Sequence, residues 1–291
     1  MFVEIIRRKL KNTALRRAIV AWRHFGLKPS DCFLASYPKS GNTWVKFVLA
    51  TICAKCSVEA WSDRNQFVPT VGHQREAKAV LANGGRLLKT HESYRSTYKK
   101  AIFLVRDPRD VCVSYFHHAR REMGSSDTFG QFLTRFLQGQ IDAYGSWESH
   151  TQSWVQAAAS MKAEIYTLRY EDLLLSPLDE FRRVCTFLGL RVSDEELVAA
   201  IDDNRPDRMR DKEKQSPDRS LFPAQNQSFV RSAKANDWRT SFSPEDLTLL
   251  RSHFSWASQF FSDSDAGFDV KAAIAGTTES QRFPKHQVDK T

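Results

Sequence analysis

Three short stretches of this 291-residue chain hold residue types that could bind and move an anionic group. The first is Tyr37-Pro38-Lys39-Ser40-Gly41-Asn42-Thr43-Trp44, where an apolar run passes through a glycine turn into a helical pattern. A lysine, two hydroxyls and the unpaired amides of a helix start make a phosphate cradle, and the glycine lets the backbone come close. The spacing is not that of an ATP-binding P-loop, because Lys39 precedes the single Gly41 instead of following a second glycine. The second stretch, Lys89-Thr90-His91, sets a cation beside a ring able to accept a proton, a pairing of charge stabiliser and general base. The third runs Arg106-Asp107-Pro108-Arg109-Asp110, with Ser114 about two helical turns beyond Arg106. An arginine fork and a hydroxyl suit a second phosphate. The alternative is that these four charges pair among themselves at the surface.

Elements must carry these residues to one place. Cys32 to Tyr37 reads as a short buried strand leading into the glycine turn, and Trp44 to about Cys53 as a helix, the first half of a βαβ unit. Arg86 to His91 forms a second strand after a turn at Asn83-Gly84-Gly85. Ala101 to Val105 is apolar throughout, as a strand covered on both faces should be, and Pro108 opens a helix. In an open parallel sheet, ligands bind beyond the carboxyl ends of the strands, so Lys39 and His91 are expected to face one crevice. Helices follow from Thr128 to Met161, with Phe129, Phe132, Leu133, Phe136 and Leu137 at helical spacing, then a strand over Glu164–Tyr170. Leu178 to Leu188 is a helix stopped by Gly189, and Ser243 caps another. Asp202 to Asn226 reads as short helix and mobile loop.

The expected fold is a three-layer α/β domain with a central, mainly parallel sheet. A basic helical segment over residues 1–30 precedes a catalytic domain over 31–265, and a loose polar tail covers 266–291. The composition, 41% hydrophobic and 26% charged, excludes a disordered, collagen-like or coiled-coil chain. A net charge of +9 points to an anionic partner. Five cysteines, Cys32, Cys53, Cys56, Cys112 and Cys185, are too few and too odd for a disulfide framework and fit a reducing, cytoplasmic setting. The CxxC of Cys53 and Cys56 has no second pair to complete a zinc site, so no metal is expected. No stretch reaches transmembrane length. Phe2, Val3, Ile6, Leu10 and Ala14 fall on one side of a basic helix. They offer either a peripheral membrane contact or an amphipathic face packed on the body.

Five pieces stand in the order seen in the PAPS-dependent sulfotransferases, which the chain resembles over roughly residues 31 to 250. They are Tyr37–Trp44, Lys89–His91, Arg106–Ser114, Tyr170-Glu171-Asp172-Leu173, and Phe229-Val230-Arg231 through Asp237-Trp238. The resemblance implies a P-loop-like fold and 3′-phosphoadenosine 5′-phosphosulfate (PAPS) as sulfuryl donor to a hydroxyl or amine. Lys39, Ser40, Gly41, Asn42, Thr43 and Trp44 then hold the 5′-phosphosulfate, with Lys39 steadying the leaving oxygen and Trp44 against the adenine. His91 matches the base and Lys89 the cation beside the transferring group. Arg106, Ser114 and Arg231 match the 3′-phosphate ligands, and Tyr170 the adenine contact.

Sulfuryl transfer needs in-line placement and neutralised oxygen charge. A sulfuryl group carries less charge than a phosphoryl group, so fixed cations can serve where a kinase uses magnesium. The alternatives are a P-loop nucleotide kinase and a non-catalytic basic protein that binds anions on the same fold. Nucleic acid is not expected as a partner. The chain departs from the family at Asn42, a small hydroxyl residue elsewhere, at Ser232-Ala233 where Lys-Gly is common, and at Asn236 in place of glycine. Lys234 could restore the lost charge. The Asn226-Gln227-Ser228 sequon is read as chance. Trp61, Phe67, Phe116, Tyr144 and Trp147 are either a roof for an acceptor, which could be an apolar alcohol, a glycan or a lipid, or core residues. The family's dimer signature is not evident, and the sequence leaves the oligomeric state open.

Overall fold

The computed structural model describes residues 13–58, 64–215, 234–261 and 267–282. Four parallel strands form one sheet: β1 (Cys32–Ser36), β2 (Leu87–Thr90), β3 (Lys100–Val105) and β4 (Glu164–Arg169), in the order β2-β1-β3-β4. Cys32 stands opposite Leu87 on one side and Lys100 on the other, and Lys100 opposite Glu164. β1 is therefore central, and all five of its residues are buried.

Side chains alternate across a strand, so β1 and β3 feed two separate cores. Phe33, Ala35, Ala101, Phe103 and Val105 face one layer. It holds α4 (Pro108–Glu122), α5 (Phe129–Leu137) and α6 (Trp147–Ala159). Cys32, Leu34, Ile102 and Leu104 face the other. That layer holds α2 (Asn42–Ala54), α8 (Pro177–Leu188) and α9 (Asp194–Asp203). The expected three layers are present.

Sequence signals set several boundaries. Asp107 caps α4 by accepting from the Arg109 amide, with Pro108 in the first turn. Gly189 ends α8 at φ +70°. α7 (Tyr170–Leu175) follows β4 directly, α10 (Pro206–Gln215) lies in the charge-rich stretch, and α11 (Pro244–His253) has the capping box at Ser243. A short helix, α3 (Arg64–Phe67), precedes β2, and α1 (Ala14–Arg23) precedes β1. Arg86 donates to Asp31 through Nε at 2.9 Å and Nη2 at 2.6 Å, a buried fork that locks the approach to β1 against the start of β2.

Two expectations need correction. The tail from Ala266 is not uniformly loose: α12 (Val270–Arg282) packs on α6, burying Phe268, Val270 and Ala273. Phe268 meets Trp147 edge-on at 5.0 Å, so Trp147 is a core residue and no roof. The N-terminal helix does pack on the body, but Ala14 is exposed and the inward contacts are made by Arg16, Val20 and Arg23. Phe2, Val3, Ile6 and Leu10 lie outside the described residues, as do Trp61, the Asn226–Ser228 sequon, Arg231, Ser232 and Ala233.

Candidate active site

The carboxyl ends of all four strands open on one edge of the sheet, and each delivers a site residue. β1 runs into Lys39, β2 into His91, β3 into Arg106 and β4 into Tyr170. Arg106 ties three of these ends together. Its Nη1 donates to the Lys39 carbonyl at 3.3 Å, and its guanidinium lies 4.4 Å from the centre of the Tyr170 ring.

Lys39 and Gly41 both take left-handed backbone conformations, at φ +70° and +92°. For Lys39 that is a strained state, held by its surroundings. Gly41 sits at the N-cap of α2 with no side chain to cap it. A Cβ there would come within 2.4 Å of Tyr170 Cδ2, so glycine is required by close approach as well as by φ. Around this turn, Ser40 Oγ, Asn42 Oδ1, Trp44 Nε1 and Arg106 Nε are buried without hydrogen-bond partners. Such groups cost of order 1–3 kcal/mol each when left unpaired. Three of them, Ser40 Oγ, Trp44 Nε1 and Arg106 Nε, can donate, and such a cluster of donors at one helix start fits an anionic ligand that is itself rich in acceptors, whereas Asn42 Oδ1 can only accept. Asn42 has its own local role, donating from Nδ2 to Ser36 Oγ at 3.0 Å. Trp44 meets Tyr170 and Phe181 edge-on, at 6.5 and 5.9 Å.

His91 Nδ1 lies 2.7 Å from the Ser36 carbonyl oxygen. A carbonyl can only accept, so Nδ1 carries the proton and Nε2 keeps its lone pair. Burial, with Lys89 next in effect, holds the His91 pKa well below 6.5, and the ring is neutral at pH 7. Burial also lowers Lys39 to about 7, helped by the neighbouring cations Arg121, Lys89 and Arg106. Lys89 falls to about 8, through burial and then Arg64. Positive charge concentrated around the turn by Lys39, Lys89, Arg106 and Arg121 is the electrostatic counterpart of the unpaired donors.

The expectation of surface pairing in the third stretch describes part of what is found. Arg109 forks onto Asp107, with Nη2 at 2.6 Å, and Arg106 Nη2 stands 3.6 Å from Asp110. These pairs are buried. Asp110 also accepts from the amides of Asn236 at 2.9 Å and Trp238 at 3.0 Å, which pins the late loop onto α4. Arg106 Nη2 donates to the Lys234 carbonyl at 2.9 Å. Asn236 adopts φ +63°, the left-handed turn that glycine would otherwise supply and that asparagine tolerates. Ser114 is half-buried on α4 and Thr43 half-buried on α2.

Among the described residues of the proposed acceptor roof, Tyr144 reaches the base, its ring 5.6 Å from that of His91. Phe116 packs edge-on against Phe129 and Phe132 in the first core layer. Phe67 carries Lys78 over its face at 4.6 Å.

Four contributors were not legible beforehand. His118 and Arg121 follow Ser114 at helical spacing, and both interact with Lys39 through space. Glu171 holds the Asp107 amide at 2.9 Å. His150, fully buried beside Tyr37 at 5.5 Å, has its pKa pushed down to about 4 by burial. The i, i+4 ladder from Asp110 through Ser114 to His118 was the available signal for the first of these.

A parallel sheet that gathers a glycine-opened helix start, three cations and a neutral histidine at one edge defines an anion-binding α/β domain of the phosphate-cradle type. The chain belongs to the sulfotransferase family: the model described as the Sulfotransferase domain matches residues 29–264. It is 26% identical over 270 residues to sulfotransferase 1C2 of Oryctolagus cuniculus, covering 84% of this chain and 88% of that one. It is 29% identical over 237 residues to the 3-beta-hydroxysteroid sulfotransferase of Cavia porcellus, covering 75% and 80%. The fold is similar to the crystal structure of mouse sulfotransferase SULT7A1 complexed with PAP, with a TM-score of 0.65 at 21% identity over 94% of this chain and 95% of that one. Among the described residues no helix is long and apolar enough to cross a membrane.

Proposed function

We propose that this chain transfers a sulfuryl group from PAPS to the hydroxyl or amine of a small-molecule acceptor. The observation that carries the reading is the coincidence, at one sheet edge, of unpaired buried donors, lysines whose pKa values are lowered chiefly by burial, and a histidine whose free nitrogen is fixed. Lys39, Ser40, Gly41, Asn42, Thr43 and Trp44 would hold the 5′ end of the donor. Arg106 and Ser114, with Arg231 from outside the described residues, would hold its 3′-phosphate, and Tyr170 and Trp44 its adenine. When bound, PAPS supplies the sulfuryl group on a good leaving group.

The residues of the chain then have separable tasks. His91 Nε2 takes the acceptor's proton, because Nδ1 is committed to the Ser36 carbonyl. Lys39 and Lys89 supply positive charge where oxygen charge grows, and being largely desolvated they act with little screening. Arg106, braced by Asp110 and the Lys39 carbonyl, fixes the distance between the two anion subsites. Tyr144 sets an apolar edge beside the base, which favours an apolar alcohol as acceptor. The Cavia porcellus relative is named for steroid substrates, which supports the same class.

The test is an acceptor screen with labelled PAPS, repeated with His91→Ala and Lys39→Ala. Transfer to an apolar alcohol that falls at least about a hundredfold in each variant is expected. Full turnover in both variants would refute the assignment, and transfer of a phosphoryl group from ATP with magnesium would replace it with the kinase reading.

A further inference from the structure

α1 is inside out. A surface helix normally turns its apolar stripe inward and its charges to water. Here Arg16 is buried and donates to Glu92 at 3.2 Å, while Arg23 reaches the Val71 carbonyl at 2.8 Å. His24 is held between the Val20 carbonyl and the Tyr98 hydroxyl, each at 2.6 Å. The outer surface of the helix carries Ala14, Leu15, Ala18, Ile19, Ala21 and Trp22, interrupted by Arg17. Leu15 is 55% exposed, Ile19 39%, Trp22 68% and the adjoining Phe25 69%. These are four of the eight large hydrophobic side chains exposed among the described residues, and the other four are scattered over distant elements. Gathered on one helix, they form a patch of the kind that marks an interaction surface.

Charge selects the partner. Residues 1–31 hold eight lysines and arginines against two acidic residues, so +6 of the chain's net +9 falls in this one segment. Arg17 and Lys28 are exposed alongside the apolar residues, and Arg7, Arg8, Lys9 and Lys11 come just before them in the chain. An exposed apolar strip with a tryptophan, set among basic residues, matches an anionic bilayer in both respects. Its rings and aliphatic chains enter the headgroup boundary while the cations meet the lipid phosphates and carboxylates. A second copy of this chain would instead set like charges, Arg17 and Lys28 among them, against each other.

We propose that the outer face of α1, through Leu15, Ile19, Trp22 and Phe25, docks the protein on an anionic membrane surface. The surface is preorganised, because the inward-turned Arg16 and Arg23 bolt the helix to the body before any lipid is met. It also lies close to the chemistry: Glu92, which anchors Arg16, follows His91 directly, and Arg16 stands 6.0 Å from the centre of the Tyr144 ring that packs on His91.

The experiment is sedimentation of the full chain with vesicles of phosphatidylcholine alone and of phosphatidylcholine with about one third phosphatidylserine, at about 0.1 M and 1 M salt. Binding to the anionic vesicles that fades at high salt is expected. The triple variant Leu15→Gln, Ile19→Gln, Trp22→Gln, which changes exposed positions to a good helix former, should lower the partition coefficient by about a hundredfold or more. Arg17→Glu should lower it about tenfold. Failure to bind anionic vesicles, equal binding to neutral ones, or binding unaltered in the triple variant would each overturn the proposal. So would a wild-type dimer in velocity sedimentation that the triple variant converts to monomer, since the face would then belong to a second copy. Vesicle binding is read with neither donor nor acceptor present, so its failure would leave the reading of the active site standing.

Discussion

Binding of a bisphosphorylated nucleotide at this site should draw protons out of solution. In the ligand-free protein Lys39 titrates near 7 and Lys89 near 8, both lowered chiefly by burial. At about pH 7.5 Lys39 is then mostly neutral and Lys89 mostly charged, and together they lack about one proton. An anion beside them favours the charged forms, so saturation with PAP should take up about one proton per site. The ligand's own phosphates have second ionisations near 6 and contribute little at that pH. Titration calorimetry in buffers of low and high ionisation enthalpy reads the number directly as a slope. Lys39→Met should remove most of the uptake, and the double variant with Lys89→Met all of it.

A stability effect follows from the same shift. The unfolded chain holds more protons than the native one between about pH 7 and 10.5, so these lysines make stability rise with pH across that window. Their penalty is fully present below about 7. Lys39→Met should therefore stabilise the ligand-free protein at pH 7, by on the order of 1 kcal/mol after allowing for partial solvation, while it weakens binding. No uptake in the wild type, or uptake unaltered by Lys39→Met, would refute the reasoning.

Further predictions concern the loop and the base. Gly41→Ala forces a Cβ into the Tyr170 ring at a φ of +92°. It should cost at least about 2 kcal/mol in chemical denaturation and abolish the response of Tm to PAP. The pH profile of kcat/KM should fall on the alkaline side between about 7 and 8, where Lys39 and Lys89 lose their protons. Its acid limb should lie well below 6.5, where His91 gains one. In the profile of kcat the alkaline limb should move upward, and a limb that stayed at 7–8 would show that the lysines do not face the ligand.

Much of this arrangement was legible in the sequence, for physical reasons. The strands around Leu34, Leu88 and Leu104 are short apolar runs because parallel strands are covered on both faces, and their abrupt ends at Lys39, His91 and Arg106 mark the ligand edge. The helix Val270–Arg282 was missed because within it only Val270 and Ile274 are large apolar residues, and the rest of its docking runs through Ala273 and a close glycine approach, Gly276 to Phe260, which carry little hydrophobic signal. Which side of α1 meets the body was not legible, because the periodic pattern of a helix does not reveal it, and here Glu92 and Val71 recruit the arginines. The closure of Asp110 onto the amides of Asn236 and Trp238 joins residues more than a hundred positions apart, which no local pattern encodes. Asn236, which stands where the family commonly has glycine, still reaches the left-handed turn.

The central claim is that two anion subsites, one at the Lys39–Trp44 turn and one at Arg106, grip a single adenosine nucleotide. Its most direct test is calorimetric comparison of PAP with adenosine 5′-phosphate, which lacks the 3′-phosphate, on the wild type and on Arg106→Ala. The wild type is expected to prefer PAP by tenfold to a hundredfold, about what charge-assisted hydrogen bonds supply, and Arg106→Ala to lower that preference about tenfold, with Ser114 and Arg231 keeping the rest. Equal affinity for the two nucleotides in the wild type, or a preference for PAP undiminished by the loss of Arg106, would contradict it.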